Sequence, residues 1–251
     1  MTRVFLDDAQ ISGDTARVTG SDAHHLLNVL RMTVGDTFTV VDGRGVERDA
    51  TITQAGDDAL VAGLGEPRRT PVEPNLKLTL YHGLPRASRY ETALRMSTEV
   101  GVSGFVPVLS AKSVVRLSGS AIGRKQERWQ RIVEEAAKQC GRTQVPEVAP
   151  PMPWSDALGH FRALGAPGVM PSAGLAGSDA PSLGASAGEL ADGADALALF
   201  IGPESGFDLS EEAQARDAGV TLVTMGPRIL RTETAAVVAA AICLDRAKEL
   251  S

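Results

Sequence analysis

Between Arg3 and Leu64, apolar and polar residues alternate in short, often β-branched runs, ARVTG, TFTVVDG, RDATITQ and ALVAGL, separated by turns rich in Gly and Asp. Successive side chains of a strand point to opposite faces, so this period predicts half-buried strands of a small β-barrel or sandwich. One stretch, SDAHHLLNVLRM, changes to helical spacing. The segment GEPRRTPVEPN, residues 65–75, has three prolines and no apolar period, which marks a linker. Two domains are therefore expected, residues 1–68 and residues 76–251.

Beyond the linker, the strand-like runs LKLTLYHG, GFVPVLS, ALALFIG and VTLVTMG alternate with helical segments, the pattern of an α/β domain with a largely parallel sheet. From Arg128 to Gly141, Trp129, Ile132, Val133, Ala136, Ala137 and Cys140 recur at i, i+3, i+4, i+7, i+8 and i+11. That spacing places one apolar stripe on a helix and leaves Arg131, Glu134, Glu135 and Lys138 facing water. Tyr90, Ala93, Leu94, Ser97 and Val100 repeat it in the preceding helix. The stretch from Ala163 to Ala194 is rich in Ala, Gly and Ser, with one short apolar piece, GVMPSAG, and reads as a long surface loop.

Composition narrows the class. No apolar run approaches the roughly 20 residues of a membrane helix, and the start MTRVFLDDAQ has acidic residues where a secretory signal needs an apolar core. A cytoplasmic protein is expected, with no membrane partner. Cys140 and Cys243 form no CxxC pair, and His24, His25, His82 and His160 join no Cys/His cluster, so neither disulfide nor metal is expected. The net charge of −6 runs against nucleic-acid binding. It hides a gradient, with −4 over residues 1–72, +5 over 73–150 and −7 over 151–251. Taken alone, the basic middle is equally a solvated face or a phosphate-binding one.

Two corners are shaped for a ligand. In ALALFIGPESGFDLSEEA an apolar strand ends at Ile201, a turn of two glycines and a proline follows, and a helix opens near Asp208 or Ser210. In VTLVTMGPRILRTETAAVVAAAI the strand Val220 to Met225 runs into Gly226 and Pro227; Arg228 and Arg231 bracket Ile229 and Leu230, and Thr232 is placed as the cap of a helix crowded with alanine. Open α/β sheets bind ligands beyond the carboxyl ends of their strands, and glycine there lets a ligand approach the backbone. Gly202 to Gly206 almost spell a nucleophile elbow, but Ser205 is one place late and no histidine follows His160. Neither a GxxxxGK[ST] loop nor a GxGxxG between strand and helix occurs.

These residues carry a resemblance. HHLLNVLRMTVGD is similar to the PUA-like domain of the RsmE family, ribosomal RNA small-subunit methyltransferases that modify N3 of a decoding-region uridine. RYETALRMSTEVGVSGFVPVLSAKSVV and RWQRIVEEAAKQCGR resemble its central segments, and LFIGPESGF with MGPRILRTETAA its cofactor loops. Two departures stand out, Ser205 where the family usually has glycine and Arg86 where lysine is common.

The resemblance implies an α/β SPOUT domain with a C-terminal trefoil knot behind a small PUA-like β-barrel, S-adenosyl-L-methionine as cofactor, 16S rRNA in the small ribosomal subunit as partner, and a homodimer. The cofactor residues it implies are Ile201, Gly202, Pro203, Glu204, Gly206, Met225, Gly226, Ile229, Leu230, Thr234 and Ala235. Arg231 is expected nearest the reacting base, with Glu233 orienting it or holding cofactor. Arg31, Arg86, Arg89, Arg142 and Arg228 are the phosphate candidates. The competing expectations are a SPOUT enzyme with another RNA target and a non-catalytic RNA-binding protein of the same fold. An intact RILRTETA loop argues against the second.

Overall fold

The computed structural model describes residues 2–113 and 120–250. Val114 and Val115, which close the RYETALRMSTEVGVSGFVPVLSAKSVV segment, lie outside the described residues. The chain forms two compact units, Met1–Glu73 with Ala137–Val145, and Pro74–Ala136 with Pro146–Ser251.

The first unit is built on strands β1 (Arg3–Phe5), β2 (Ile11–Ser12), β3 (Thr15–Thr19), β4 (Thr37–Val41), β5 (Glu47–Ala55) and β6 (Ala59–Leu64). They hydrogen-bond in the order β1-β4-β5-β6-β3-β2. Only the β1–β4 pair is parallel among the ladders described. In TARVT of β3 the burial alternates, as the sequence period requires. The inward residues Val18, Phe38, Ile52 and Leu60 pack with Ala23 and Leu26 of the helical segment that follows β3. That segment is α1 (Gly20–His24), which continues as a π-helical turn over His25–Val29. Each large side chain buried this way contributes roughly 1.5–3 kcal/mol.

Residues 137–145, expected in the α/β domain, cluster with this unit instead. Glu73 explains why. Its carboxylate accepts from Arg142 Nε at 3.0 Å, Arg142 Nη2 at 2.7 Å and the backbone N–H groups of Thr143 and Gln144 at 2.8 and 2.9 Å. Burial alone would raise the Glu73 carboxyl, but these bonds and the Arg142 charge outweigh it and hold it below the usual carboxylate range. Arg142 is 5 % exposed, so its guanidinium is committed to Glu73 rather than presented to a phosphate. Its place among the RNA candidates is corrected accordingly.

The second unit carries a parallel sheet of β7 (Lys77–Gly83), β8 (Gly104–Leu109), β9 (Glu147–Val148), β10 (Met152–Pro153), β11 (Gly168–Pro171), β12 (Ala196–Ile201) and β13 (Val220–Val223). The order is β10-β8-β7-β12-β11-β13, with β9 also on β8. Strands covered on both faces read as continuous apolar runs, which is why ALALFI of β12 is buried almost throughout. The helices are α2 (Ala87–Val100), α3 (Ser120–Cys140), whose last residues from Ala137 cluster with the first unit, α4 (Trp154–Leu164), α5 (Leu183–Ala191), α6 (Leu209–Asp217) and α7 (Thr232–Arg246).

The surface loop expected from Ala163 to Ala194 is not one loop. It holds β11, paired between β12 and β13, and α5, which packs on α7. Its small residues are helical because Ser182 caps α5, accepting from Ala185 N–H at 3.2 Å. Although β13 is the last strand of the sheet, α7 returns from it to pack on α2 and α5 and to contact β7 and β12 near the sheet centre. Among the described residues, no helix is long and apolar enough to cross a membrane.

Candidate functional site

Three strand exits of the parallel sheet converge on one cavity of about 290 Å³. The β12 exit supplies Ile201 to Gly206, the β13 exit supplies Met225, Gly226 and Arg228 to Leu230, and Thr232 and Ala235 come from the first turns of α7. The third wall, Pro171, Ser172, Ala173 and Ala176, follows β11. Sequence reading missed this wall because GVMPSAG sat inside a stretch of loop-like composition. Its signal was legible, an apolar run ending in proline and a small residue, the grammar of the other two exits.

The β12 exit is shaped by glycine and held from several sides. A Cβ on Gly202 would lie 2.8 Å from both Gly206 Cα and Phe207 N, so the turn closes only without a side chain there. Gly206 itself has φ of 70°, the left-handed region. The Phe207 ring packs on Trp154, centroids 4.9 Å apart, and Lys112 Nζ donates to Phe207 O at 3.0 Å. Glu204 Oε1 accepts from the Arg86 backbone N–H at 3.1 Å and meets Arg89 Nη1 at 3.7 Å. Asp208 caps α6 and forms a capping box with Glu211, whose other oxygen accepts from Ala111 N–H at 2.7 Å. The Ser210 bonds to Asp208 keep its carboxyl below its ordinary range.

The β13 exit is different. Gly226 has φ of 93° and its N–H reaches only Thr224 Oγ1, at 3.2 Å. Pro227 to Leu230 make no hydrogen bond among the described residues, and Ile229 is 69 % exposed. Arg231 is the exposed residue preceding α7, and its carbonyl accepts from Ala235 N–H at 2.7 Å.

Of the residues expected at the cofactor, Ile201, Gly202, Pro203, Glu204, Gly206, Met225, Gly226, Ile229, Leu230 and Ala235 line the cavity; Thr234 does not and is exposed. Ser205 and Thr232 line it as well. Thr232 is not the helix cap, a correction with a clear cause. Its hydroxyl donates to Gly202 O at 2.6 Å and bonds His82 Nε2 at 2.8 Å, while Arg231 takes the cap position without a side-chain cap bond. Among the described residues Arg231 and Glu233 form no ion pair, and one carboxylate oxygen of Glu233 is buried without a hydrogen-bond partner. The expectation that Glu233 orients Arg231 is corrected on that ground. Among the phosphate candidates, Arg31 is exposed in the first unit with φ of 57°, Arg86 and Arg228 are exposed in the second, and Arg89 is half-buried beside Glu204.

The residues present suit a compact ligand with apolar and polar parts. Ile201, Pro203, Ile229 and Leu230 give apolar walls, the glycine turns expose backbone groups, and Glu204 and Arg228 place one charge of each sign at the rim.

Residues 72–244 match the family model described as RNA methyltransferase domain, and residues 18–64 match that of the RNA methyltransferase PUA domain. The chain is 34% identical over 243 residues to the ribosomal RNA small subunit methyltransferase E of Synechocystis, covering 95% of this chain and 76% of that one. The Bacillus subtilis protein of the same name is 30% identical over 221 residues, 88% of this chain and 86% of that one. Among solved structures, the Neisseria gonorrhoeae ribosomal RNA small subunit methyltransferase E bound to S-adenosyl methionine aligns with a TM-score of 0.85 at 31% identity, covering 98% of this chain and 97% of that chain. With the two glycine-shaped exits, the matched domains and this breadth of likeness, the chain belongs to the ribosomal RNA small subunit methyltransferase E family.

Proposed function

We propose that this protein transfers a methyl group from S-adenosylmethionine to N3 of a uridine in the decoding region of 16S rRNA, acting on the assembled small subunit. The observation that carries the reading is the cavity where three strand exits meet, walled by the residues of the LFIGPESGF and MGPRILRTETAA segments. When bound, the cofactor supplies an electrophilic methyl group.

The chain's own residues then have four tasks. Ile201, Ile229 and Leu230 bury apolar ligand surface, and the backbone groups of Gly202, Gly206, Met225 and Gly226 meet its polar edge. Glu204, anchored on Arg86 N–H, sets a carboxylate at the rim, where it suits a cationic ligand. Uracil N3 carries a proton and is a weak nucleophile, so charge must be stabilised as that proton leaves. Arg231 does not itself line the cavity; exposed and next in sequence to the wall residues Leu230 and Thr232, it is the cation to which this reading assigns that task. RNA phosphates are met by Arg31, Arg86, Arg89 and Arg228, which gives binding a salt dependence despite the acidic chain.

The working form is a homodimer. Exposed Met96 and Val238 lie on α2 and α7, which pack together, and give a second copy an apolar surface to cover.

The deciding experiment incubates the protein with S-adenosylmethionine and small subunits from a strain lacking its gene, then maps the methylated base by mass spectrometry. A methyl on N3 of one decoding-region uridine is expected. A methyl on another RNA, or cofactor binding without transfer to any RNA, replaces the proposal.

A further inference from the structure

A buried side chain that no ligand-site motif includes is bonded to the floor of the cavity. His82 stands near the end of β7, is 0 % exposed, and its Nε2 lies 2.8 Å from Thr232 Oγ1. Thr232 Oγ1 lies 2.6 Å from Gly202 O. The three atoms belong to three strand-exit segments that sequence holds far apart, β7, the β12 exit and the start of α7.

Proton bookkeeping sets the direction of this chain. A carbonyl oxygen only accepts, so the single hydroxyl proton of Thr232 goes to Gly202 O. The Thr232 oxygen then accepts, and the proton between it and the ring must sit on His82 Nε2. A neutral imidazole has one N–H, so His82 Nδ1 is left bare. Among the described residues Nδ1 has no partner, which in buried surroundings suits a lone pair better than an orphaned N–H. Burial disfavours the charged ring and lowers its pKa to about 3, so the neutral Nε2–H tautomer persists at working pH.

The same corner is sterically closed. A Cβ on Gly83 would run into the Pro203 ring and lie 2.8 Å from Pro203 N, so β7 passes directly beneath the Gly202–Pro203 wall. Gly83 permits the approach, and His82, its neighbour, fixes it by hydrogen bonds.

We propose that His82 is a positioning residue for the cofactor cavity, whose Nε2–H, relayed through the Thr232 hydroxyl to Gly202 O, locks the β12 exit to the start of α7 in the geometry that binds S-adenosylmethionine. It touches no reacting atom. It acts through Thr232 and Gly202, both of which line the cavity. The inference rests on the cavity being the S-adenosylmethionine site.

The test is calorimetric titration of S-adenosylmethionine into the full-length wild-type protein and into His82→Leu, His82→Gln, Thr232→Val and Thr232→Ser, with thermal unfolding of each recorded alongside. Thr232→Val keeps the shape and removes the relay, and should weaken cofactor affinity about tenfold. His82→Leu should do the same, and the double variant His82→Leu/Thr232→Val should be no worse than either single one, because each breaks the same chain. His82→Gln and Thr232→Ser, which restore a donor and a hydroxyl, should recover affinity to within about threefold. In steady-state methylation the loss should fall on the KM for the cofactor, with kcat changed little. Wild-type affinity in folded Thr232→Val, or additive losses in the double variant, would overturn the relay while leaving the cavity assignment standing. Wild-type protein that binds no S-adenosylmethionine would sink the cavity assignment and the relay with it.

Discussion

The two main walls of the cavity are the same device made to opposite specifications. The β12 exit is held by Phe207 on Trp154, Lys112 on Phe207 O, Glu204 on Arg86 N–H, and Thr232 on Gly202 O. The β13 exit is tied at Thr224, which bonds Pro181 O and Leu183 N–H at 2.9 Å and closes the short turn to Gly226, and then runs through four residues without a hydrogen bond among the described residues. Both contain a glycine and a proline after a parallel strand, so the local grammar is shared and the anchoring is not. The difference suggests a division of labour in the proposed reaction. The anchored exit gives the pocket its shape, and the free one carries the exposed cation that meets RNA.

The largest expected effect tests the free side. Arg231→Ala should lower single-turnover methylation of unmodified small subunits by on the order of a hundredfold to a thousandfold, the usual cost of one preorganised transition-state donor. Cofactor affinity should change little, and Arg231→Lys should recover only part, because an ammonium lacks the planar fork. Near-normal turnover in Arg231→Ala would break the division of labour.

Gly202→Ala is the counterpart on the anchored side. Its Cβ meets Gly206 Cα and Phe207 N at 2.8 Å, both backbone atoms with little freedom to move. Overpacking of about 3 kcal/mol, taken from the binding-competent shape, weakens cofactor affinity by roughly a hundredfold. Calorimetry with circular dichroism separates lost binding from lost fold. Gly226→Val is a poorer probe, since φ of 93° strains any β-branched residue before a ligand is considered.

Glu204→Ala should cost about tenfold in cofactor affinity, the scale of one charged hydrogen bond to backbone. Equal affinity would mean that Phe207, Lys112 and Thr232 anchor the exit without it. A smaller effect is expected for Arg86→Glu, which leaves cofactor binding intact but weakens RNA binding severalfold and flattens its salt dependence by about one phosphate contact. Filter binding at several salt concentrations reads both.

The last expectation concerns acid. The buried His82 ring resists protonation down to about pH 3, whereas in the unfolded chain it takes a proton below about pH 6.5. Its contribution to stability is thus complete above pH 6.5 and is lost progressively as pH falls from there toward 3. His82→Gln removes this proton uptake, so thermal unfolding of that variant should decline less steeply with acid than that of the wild type over the same window. Parallel declines would contradict the neutral, buried ring.

Much of this molecule was written in local pattern. The alternation in TARVT, the helical stripe from Trp129 to Cys140 and the apolar ALALFI run each predicted the element that forms, because period two and period 3.6 are properties of neighbours in sequence. Helix α3 starts at Ser120 rather than Arg128, since polar residues such as Arg124 and Lys125 satisfy a helix without adding to its apolar stripe. The cavity residues were legible because two strand exits carried glycine and proline, and because their motifs resemble those of the family.

Tertiary structure alone decided the rest. The third wall from Pro171 to Ala176 belongs to the site only because β11 enters the sheet between β12 and β13. Arg142 looks like any surface cation until Glu73, 69 residues away, closes on it. His82 and Thr232 stand 150 residues apart, and no periodicity links them. Residue types and short-range spacing are encoded in the chain directly, whereas partners across such separations are chosen by the tertiary fold, as when the return of α7 to the sheet centre brings one hydroxyl to one buried imidazole.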